Sequence, residues 1–214
     1  MKTKTILLTL CALVATLGTA TAQETIALPQ PQKTLQVTLM QALTDRKSLR
    51  DYSTREIPMQ ELSNLLWAAN GVNREDGRRT APSAINAQDI DVYVVNSQGA
   101  YLYNAPKNQL EQVYKGDLRK EVAGRQEFAA TAPISLVLVC DGSRYSFPDG
   151  GQKFGGMDAG YVSQNIYLYC AAAGLATVAR ASMDAEALKK ALNLKESQIL
   201  ELNHPVGYPE GEKQ

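Results

Sequence analysis

The chain is poor in the residue types that build most metal and hydrolase sites. It has one histidine, His204, and three cysteines among 214 residues. A single histidine, with no cysteine pair at ligand spacing, excludes the common zinc sites. No Gly-x-Ser-x-Gly turn is present, which argues against the serine hydrolases that use this elbow. The acids show no spacing typical of a glycosidase pair, so neither metal chemistry nor hydrolysis is predicted.

The chain also lacks an excess of charge. Lysine and arginine number 22, and aspartate and glutamate also number 22. Without a basic surplus, the composition does not predict nucleic-acid binding, and without an acidic tail it does not predict a solvating region. Beyond the N-terminus no apolar run approaches the ~20 residues of a membrane-spanning helix, so we expect no stable membrane insertion.

The first residues are typical of an export signal. Lysines precede an apolar run at 6–17, and residues 20–22 fit a small-x-small cleavage site. The run is too short to span a membrane. The leucine before Cys11 argues against lipid attachment, which prefers a small residue there. We therefore predict a signal peptide over 1–22, a mature chain from Gln23 and an exported, periplasmic protein.

The mature chain keeps two cysteines, Cys140 and Cys170. An oxidising compartment would permit a disulfide between them. However, Cys140 ends an apolar strand-like run and Cys170 sits in an alanine-rich helical stretch, which favours two buried thiols. The sequence leaves the bridge open, because pairing depends on a Cα–Cα distance that a sequence does not contain.

Helical and strand-like patterns interleave along the mature chain without strict alternation. Residues 58–71 have helical spacing, with proline in the first turn and glycine at the end. Residues 157–173 are apolar all round, which is typical of an interior helix. Residues 134–139 are typical of a central strand covered on both faces. We predict an N-terminal arm at 23–37, followed at 38–214 by one α+β domain with a central mixed β-sheet flanked by helices.

Three other segments have less regular patterns. Residues 110–128 mix charges with spaced apolar residues and predict a helix broken at a glycine. Residues 141–156 are rich in Gly, Asp and Ser and predict a loop. Residues 198–202 predict a last strand, which we expect to end at a turn formed by His204 and Pro205.

Four short segments contain the candidate chemistry. The first runs from Arg46 through Ser48 to Arg50 and puts two guanidinium groups and a hydroxyl at alternate positions. Planar arginine forks match phosphate oxygens, and a serine adds a further donor, so this spacing suits a phosphate. Taken alone, it also describes a solvated surface turn. The other three segments are Pro-Ser-Ala-Ile-Asn-Ala-Gln at 82–88, the helical stretch and its continuation at 158–182, and Pro-Val-Gly-Tyr-Pro at 205–209.

In this order, the four segments resemble those of the FMN-dependent nitroreductase family, over residues 43–209. The long helix is most similar to that of the branch containing the dehydrogenases of thiazole- and oxazole-forming enzymes. The resemblance implies a nitroreductase-like fold, an intertwined homodimer and FMN bound between two subunits. It also implies a small-molecule electron donor and a small-molecule acceptor.

The resemblance implies nine cofactor-binding residues in three groups. The first group would bind the phosphate and ribityl chain of FMN. The second would reach the flavin held mainly by the other subunit, and the third would pass its backbone along the flavin face and the N5 edge. In chain order the groups are Arg46, Ser48 and Arg50; Pro82, Ser83 and Asn86; and Ala179, Ala181 and Ser182. No catalytic side chain and no metal are implied.

This chain departs from the family pattern at two places. Ala179, Ala181 and Ser182 stand where many members have a proline, an acid and a glycine. The basic residue that usually follows the Gly-Tyr-Pro segment is missing, and only Lys213 remains. Two functions therefore stay open. One is hydride transfer from NAD(P)H or another donor, through FMN, to a nitroaromatic, quinone or similar acceptor; the other is binding of FMN or another planar ligand without turnover.

Overall fold

The structure of the protein is a computed structural model that describes residues 24–211. The strands are β1 (Thr25–Ala27), β2 (Ile90–Asn96), β3 (Gly99–Asn104), β4 (Gln109–Lys115), β5 (Ile134–Asp141), β6 (Ala176–Thr177) and β7 (Gln198–Gly207). The α-helices are α1 (Leu39–Asp45), α2 (Met59–Asn70), α3 (Arg119–Ala123), α4 (Gly150–Ala173) and α5 (Ala185–Ala191). The predicted signal peptide and Lys213 lie outside the described residues.

The strands form one sheet in the order β1-β4-β3-β2-β5-β7-β6. The predicted α+β class, with a central sheet flanked by helices, is confirmed. Every pairing among the described strands is antiparallel. We had expected a sheet of mixed strand direction. Short links join β2 to β3 and β3 to β4, and such hairpins are antiparallel by construction. Within the segment predicted as an arm, β1 pairs with β4 at the edge of the sheet.

The central strand β5 is covered on both faces, as its continuous apolar run predicts. Leu136 and Leu138 lie in a core formed with α2 and α4. Val137 and Val139 lie in a second core, formed with α3 and α5 on the opposite face. Each such buried side chain contributes about 1.5–3 kcal/mol through removal of apolar surface from water. The sheet is therefore the middle layer between two sets of helices.

The long helix α4 begins at Gly150, seven residues before the predicted start. The glycines that suggested a loop are instead packing residues. A Cβ added to Gly155 would lie 2.7 Å from Cys140 Sγ on β5, closer than real side chains allow. Glycine is thus needed because the helix lies directly on the strand, and this contact outweighs the low helix propensity of glycine.

Two further segment predictions were wrong. Residues 110–115 belong to the strand β4, and in the predicted stretch up to 128 only the five-residue α3 is α-helical, with a 3-10 turn beginning at Glu127. The pairing of β4 with both β1 and β3 supplies its hydrogen bonds, which the local pattern did not reveal. The strand β7 continues through His204 and Pro205 to Gly207, because it pairs with β5 as far as Val206 and with β6 at Gly207. The Pro205 carbonyl accepts a hydrogen bond from Thr177 Oγ1 at 2.9 Å.

Cys140 and Cys170 are both buried and free, so no disulfide joins them. Burial raises the pKa of both thiols, which is expected for small apolar core residues. Across residues 24–211, no helix has the length and apolarity needed to cross a membrane.

Candidate functional site

The structure brings the first, third and fourth segments of the sequence analysis together. The extended stretch at 46–52 runs beside β6 and the end of β7. The Leu49 amide donates to the Thr177 carbonyl at 2.9 Å, and Tyr52 forms a bridge with Pro209. On this stretch Arg46 is half-buried, and Ser48 and Arg50 are exposed.

Tyr167, on the last turns of α4, connects these segments. Its hydroxyl lies 2.9 Å from Ser48 Oγ and accepts a hydrogen bond from the Ala179 amide at 2.8 Å. The guanidinium carbon of Arg46 lies 5.3 Å from the centre of its ring, within the range of a cation–π contact. Arg46, Ser48 and Ala179, which are all predicted cofactor-binding residues, therefore contact the same tyrosine. Tyr167 itself was predicted only as part of an interior helix.

A cleft of about 630 Å³ opens beside this cluster, within the size range of cofactor sites. Its wall includes two cations, Arg46 and Lys47, and two acids, Asp45 and Glu210. Among the described residues, no carboxylate lies within 4.0 Å of the Arg46 guanidinium. Its five N–H donors are therefore not committed to an ion pair and can bind an anion from the cleft. Ser48 and Arg50 are exposed on the same stretch and do not line the cleft, although Ser48 contacts Tyr167, which does.

The second segment lies elsewhere in the protomer. Pro82 and Asn86 are exposed, and the Ser83 hydroxyl accepts a hydrogen bond from the Gln88 amide at 2.8 Å. The neighbouring Ala84 amide donates to Asp158 Oδ2 at 2.9 Å. Asp158 lies nine residues before Tyr167 on α4, which separates the two sites by about 13 Å along the helix axis. One protomer alone does not bring this segment to the cleft.

The loop of the second segment is strained. Ile85, Asn86 and Gln88 all have positive φ angles, at 51°, 58° and 49°. A β-branched residue in this region is rare and costs free energy, on the order of 1–3 kcal/mol. Ile85 is also 64% exposed, although it is a large apolar residue. The loop is thus held in an uncommon shape with an apolar side chain in solvent.

The residues of the third predicted group differ in how accessible they are to a ligand. The Ala179 amide is already used by Tyr167, so it is not a free donor for a ligand. Ala181 and Ser182 are exposed, and the Ser182 carbonyl accepts from Arg180 at 3.0 Å and from Asn203 at 3.1 Å. These two hydrogen bonds to the Ser182 carbonyl oxygen hold the backbone of the loop in place.

The model of the Nitroreductase family matches residues 43–208, which is most of the chain. The chain belongs to the nitroreductase family. This membership makes the protein an oxidoreductase of a flavin-using type. The finer resemblance to the thiazole- and oxazole-forming branch stays a prediction.

Proteins named as nitroreductases are similar to this chain in sequence and in fold. A protein of Methanocaldococcus jannaschii that is named as a nitroreductase is 30% identical over 183 residues, covering 80% of this chain and 91% of the relative. A crystal structure from Ralstonia eutropha, also named as a nitroreductase, is 37% identical with a TM-score of 0.83 and covers 90% and 92% of the two chains. An FMN-dependent nitroreductase of Clostridium difficile has the same fold at 17% identity and a TM-score of 0.57, covering 82% and 90%.

Arg180 is the most heavily bonded side chain near the site of this nitroreductase, and the sequence analysis did not single it out. It is only 6% exposed. All five of its N–H groups donate to uncharged oxygens. The acceptors are Gln126 Oε1, the Val122 carbonyl, Asn203 Oδ1, the Ala123 carbonyl and the Ser182 carbonyl, at 2.6–3.2 Å. Arg180 therefore fastens the predicted flavin-face loop to the end of α3 and to β7.

His204 is fully buried behind Tyr167. Its two ring nitrogens lie 2.7 Å from Ser163 Oγ and 3.1 Å from Thr177 Oγ1. Its ring lies 5.2 Å from that of Tyr167, at nearly a right angle. Desolvation lowers the pKa of His204 from 6.5 to about 3. The imidazole is thus neutral at pH 7 and supports the site as a packed, hydrogen-bonded residue.

A pair of buried carboxyls lies beneath the strained loop. Asp158 accepts hydrogen bonds from the Ala84 amide and from the Tyr145 hydroxyl, both at 2.9 Å. Asp89 is fully buried, and among the described residues neither of its oxygens has a hydrogen-bond partner. Burial is the main cause that raises the pKa of Asp89 from 3.8 to about 6, and the adjacent Asp158 carboxyl raises it further, whereas the Cys140 thiol lowers it. A proton on Asp89 gives the pair a donor that it otherwise lacks.

We expect His204 and Asp89 to give opposite pH dependences of stability. The folded-state pKa of His204 is depressed, so its contribution is present above pH 6.5 and is lost as the pH falls toward 3. The change from pH 7 to pH 4 costs about 3 kcal/mol. The folded-state pKa of Asp89 is raised, so its contribution is present below pH 3.8 and is lost as the pH rises through about 6. The wild-type profile is therefore flatter than either group alone would give.

Urea unfolding from pH 4 to pH 8 measures both contributions. In Asp89→Asn the unfolding free energy should fall more steeply on acidification than in the wild type, because only the His204 contribution remains. In His204→Gln it should fall less steeply or rise. Parallel profiles for all three proteins would contradict the assignment of both pKa values.

Proposed function

We propose that the protein is an FMN-dependent oxidoreductase of the nitroreductase type. It passes a hydride from NAD(P)H or another donor, through FMN, to a nitroaromatic, a quinone or a similar acceptor. One observation carries this proposal: the cleft beside Tyr167 has an arginine free of carboxylate partners, at the place where the family's phosphate-binding segment converges with its flavin-face loop.

The residues present fit the cofactor. Arg46 and Ser48 would hold the phosphate by charge-assisted and neutral hydrogen bonds, and Lys47 adds positive charge to the cleft wall. Exposed Arg50 extends the positive face. The exposed backbone at Ala181 and Ser182 would border the ring system. FMN supplies the hydride chemistry when bound, and the protein supplies binding, orientation and electrostatics.

Absorption spectroscopy tests this function. Purified mature protein is titrated with FMN, and NADH or NADPH is then added without oxygen. A bound-flavin spectrum that either nucleotide bleaches supports the oxidoreductase. Protein that shows no spectral change with FMN would refute the cofactor assignment.

A second candidate function is flavin binding without turnover. The specific observation in its favour is that the Ala179 amide donates to Tyr167, so one backbone donor predicted for the flavin edge is already used. A bound flavin that neither nucleotide reduces, but that dithionite does, would favour this function over the first.

We further propose that two copies form a homodimer that completes the site. The exposed surface of α4 carries Met157, Gly160 and Tyr161, and α1 exposes Leu39 and Met40 at 65% and 70%. Scattered apolar residues need no explanation, but a contiguous apolar face on two neighbouring helices is typical of an interface. A partner would also bring its exposed loop at 82–88 to the cleft, which the protomer does not do. A stable dimer of this kind needs an extensive, largely apolar interface.

The dimer predicts a strong effect at Gly160. No atom lies within 4 Å of a Cβ added there, so the protomer itself tolerates a larger residue. We expect Gly160→Trp to yield a monomer with much weaker FMN binding, because the indole keeps the two copies of α4 apart. Sedimentation velocity measures the mass.

Gln152→Trp, at an exposed position in the first turn of the same helix, is the matched control and should stay dimeric. A Gly160→Trp protein that remains a dimer would place the interface elsewhere. Gly160→Ala should keep the dimer and gain about 0.5–1 kcal/mol of helix stability.

We also propose that the protein is exported. The residues concerned lie outside 24–211, and the proposal stands on the sequence pattern alone. Expression of the full chain in a Gram-negative host, followed by fractionation and N-terminal sequencing, should give a periplasmic protein that begins at Gln23. A cytoplasmic protein with an intact N-terminus would contradict it.

A further inference from the structure

One of the two hydrogen bonds at Tyr167 has a fixed direction. The Ala179 amide can only donate, so at 2.8 Å it gives its proton to the Tyr167 oxygen. The Tyr167 hydroxyl has a single proton of its own. Among residues 24–211, Ser48 Oγ, at 2.9 Å, is its one side-chain partner. The tyrosine accepts from Ala179, and Ser48 is the side chain placed to receive the tyrosine's own proton.

This direction determines what Ser48 can do. A serine hydroxyl has one proton and two lone pairs. When Tyr167 donates to one lone pair, the Ser48 proton is left to point away from the tyrosine. Ser48 is exposed, so this proton is available to an anion that enters from solvent. Hydrogen bonds in a chain polarise one another, so the outward donor is stronger than that of an isolated serine.

The tyrosine ring is held in place by neighbours on two sides. The Arg46 guanidinium lies over it at 5.3 Å, and the buried His204 ring packs against it at 5.2 Å. His204 is in turn bonded to Ser163 and Thr177. A tyrosine fixed in this way keeps its hydroxyl at one position, which favours directed donation over a freely rotating contact.

We propose that Tyr167 is a positioning residue that aims the Ser48 hydroxyl at the phosphate of FMN, through the chain Ala179 amide to Tyr167 to Ser48 to phosphate. This inference rests on the proposed function. It adds that the flavin-face loop and the phosphate contact are joined by one directed hydrogen-bond chain. Ligands without a phosphate should therefore be insensitive to it.

Tyr167→Phe tests the chain because it removes only the hydroxyl. We expect the Kd for FMN to rise about tenfold, because a Ser48 hydroxyl that is no longer aimed loses its charge-assisted hydrogen bond to the phosphate. The Kd for riboflavin, which has the same ring and ribityl chain but no phosphate, should stay within about twofold. Fluorescence quenching of either flavin by the protein gives both constants. If Tyr167 had only a structural role, Tyr167→Phe would raise the Kd for FMN and the Kd for riboflavin by the same factor.

Two further variants complete the test. Tyr114→Phe, at a half-buried tyrosine on the opposite face of the sheet, is the matched control and should bind FMN like the wild type. Ser48→Ala should lose the same FMN affinity as Tyr167→Phe, and the double variant should lose no more than either one. If the double variant lost the sum of the two single losses of FMN affinity, or if riboflavin lost as much affinity as FMN, the proposed hydrogen-bond chain would be overturned. Wild-type protein that does not bind FMN would instead overturn the proposed function, and the chain with it.

Discussion

Replacing Arg46 and Arg50 together by alanine is expected to raise the Kd for FMN at least about a hundredfold and to yield colourless protein. A hydrogen bond to a charged group contributes about 1.5–3 kcal/mol, and two arginines on a phosphate dianion contribute at least one such bond each. Arg46 should account for most of the loss, because it lines the cleft and Arg50 does not. Flavin content after purification and a fluorescence titration measure the effect.

The control removes the same charge elsewhere. Lys189→Ala with Lys190→Ala takes two positive charges from the exposed last turn of α5, and it should leave flavin content unchanged. The arginine double variant should keep the homodimer and the melting temperature of the ligand-free protein, because neither side chain is buried. Full FMN occupancy in the arginine double variant would show that the phosphate lies elsewhere.

The sequence predicted the parts of this fold that depend on local patterns. The helix α2 has apolar residues at helical spacing with a proline before it and a glycine after it. The strand β5 has a continuous apolar run that both cores use.

The errors occurred where distant contacts override the local pattern. The glycines at the start of α4 indicate a loop on their own, and only the nearness of Cys140 on β5 explains them as helix. The charged stretch that forms β4 has the pattern of a helix, and its strand conformation depends on the two strands that pair with it. No sequence pattern contains these partners, because they are separated by many residues along the chain.

In the candidate site, too, some residues were predicted from a local sequence pattern and others were not. The alternate spacing of Arg46 and Ser48 suits a phosphate, and the other three segments were needed to favour a phosphate site over a solvated turn. The role of Tyr167 was not evident, because a tyrosine in an apolar helix is most often a core residue. An available signal was the run of polar residues, Gln164 and Asn165, that precedes Tyr167 on an otherwise apolar helix. Arg180 gave a stronger signal, since an arginine among small apolar residues next to a strand is rarely left without partners when buried.

Arg180→Met is expected to lower the unfolding free energy by about 3–5 kcal/mol. The change removes the donor from three buried acceptors, the Val122 and Ala123 carbonyls and Asn203 Oδ1. Each such loss costs about 1–3 kcal/mol, partly recovered by relaxation and water. The effect is a large fraction of the roughly 5–15 kcal/mol typical of a whole domain. Urea unfolding measures it, and Arg125→Met, at an exposed arginine on the neighbouring loop, should cost less than about 0.5 kcal/mol.

Arg180→Lys separates charge from geometry at the same position. Lysine keeps the positive charge but has three donors on one nitrogen, so it cannot reach oxygens on α3, on β7 and in its own loop at once. We expect it to recover less than half of the stability lost in Arg180→Met. We also expect it to weaken FMN binding more than its stability loss implies, because the Ser182 carbonyl would no longer fix the flavin-face loop. A lysine variant with wild-type stability would mean that the buried charge matters and the five-bond arrangement does not.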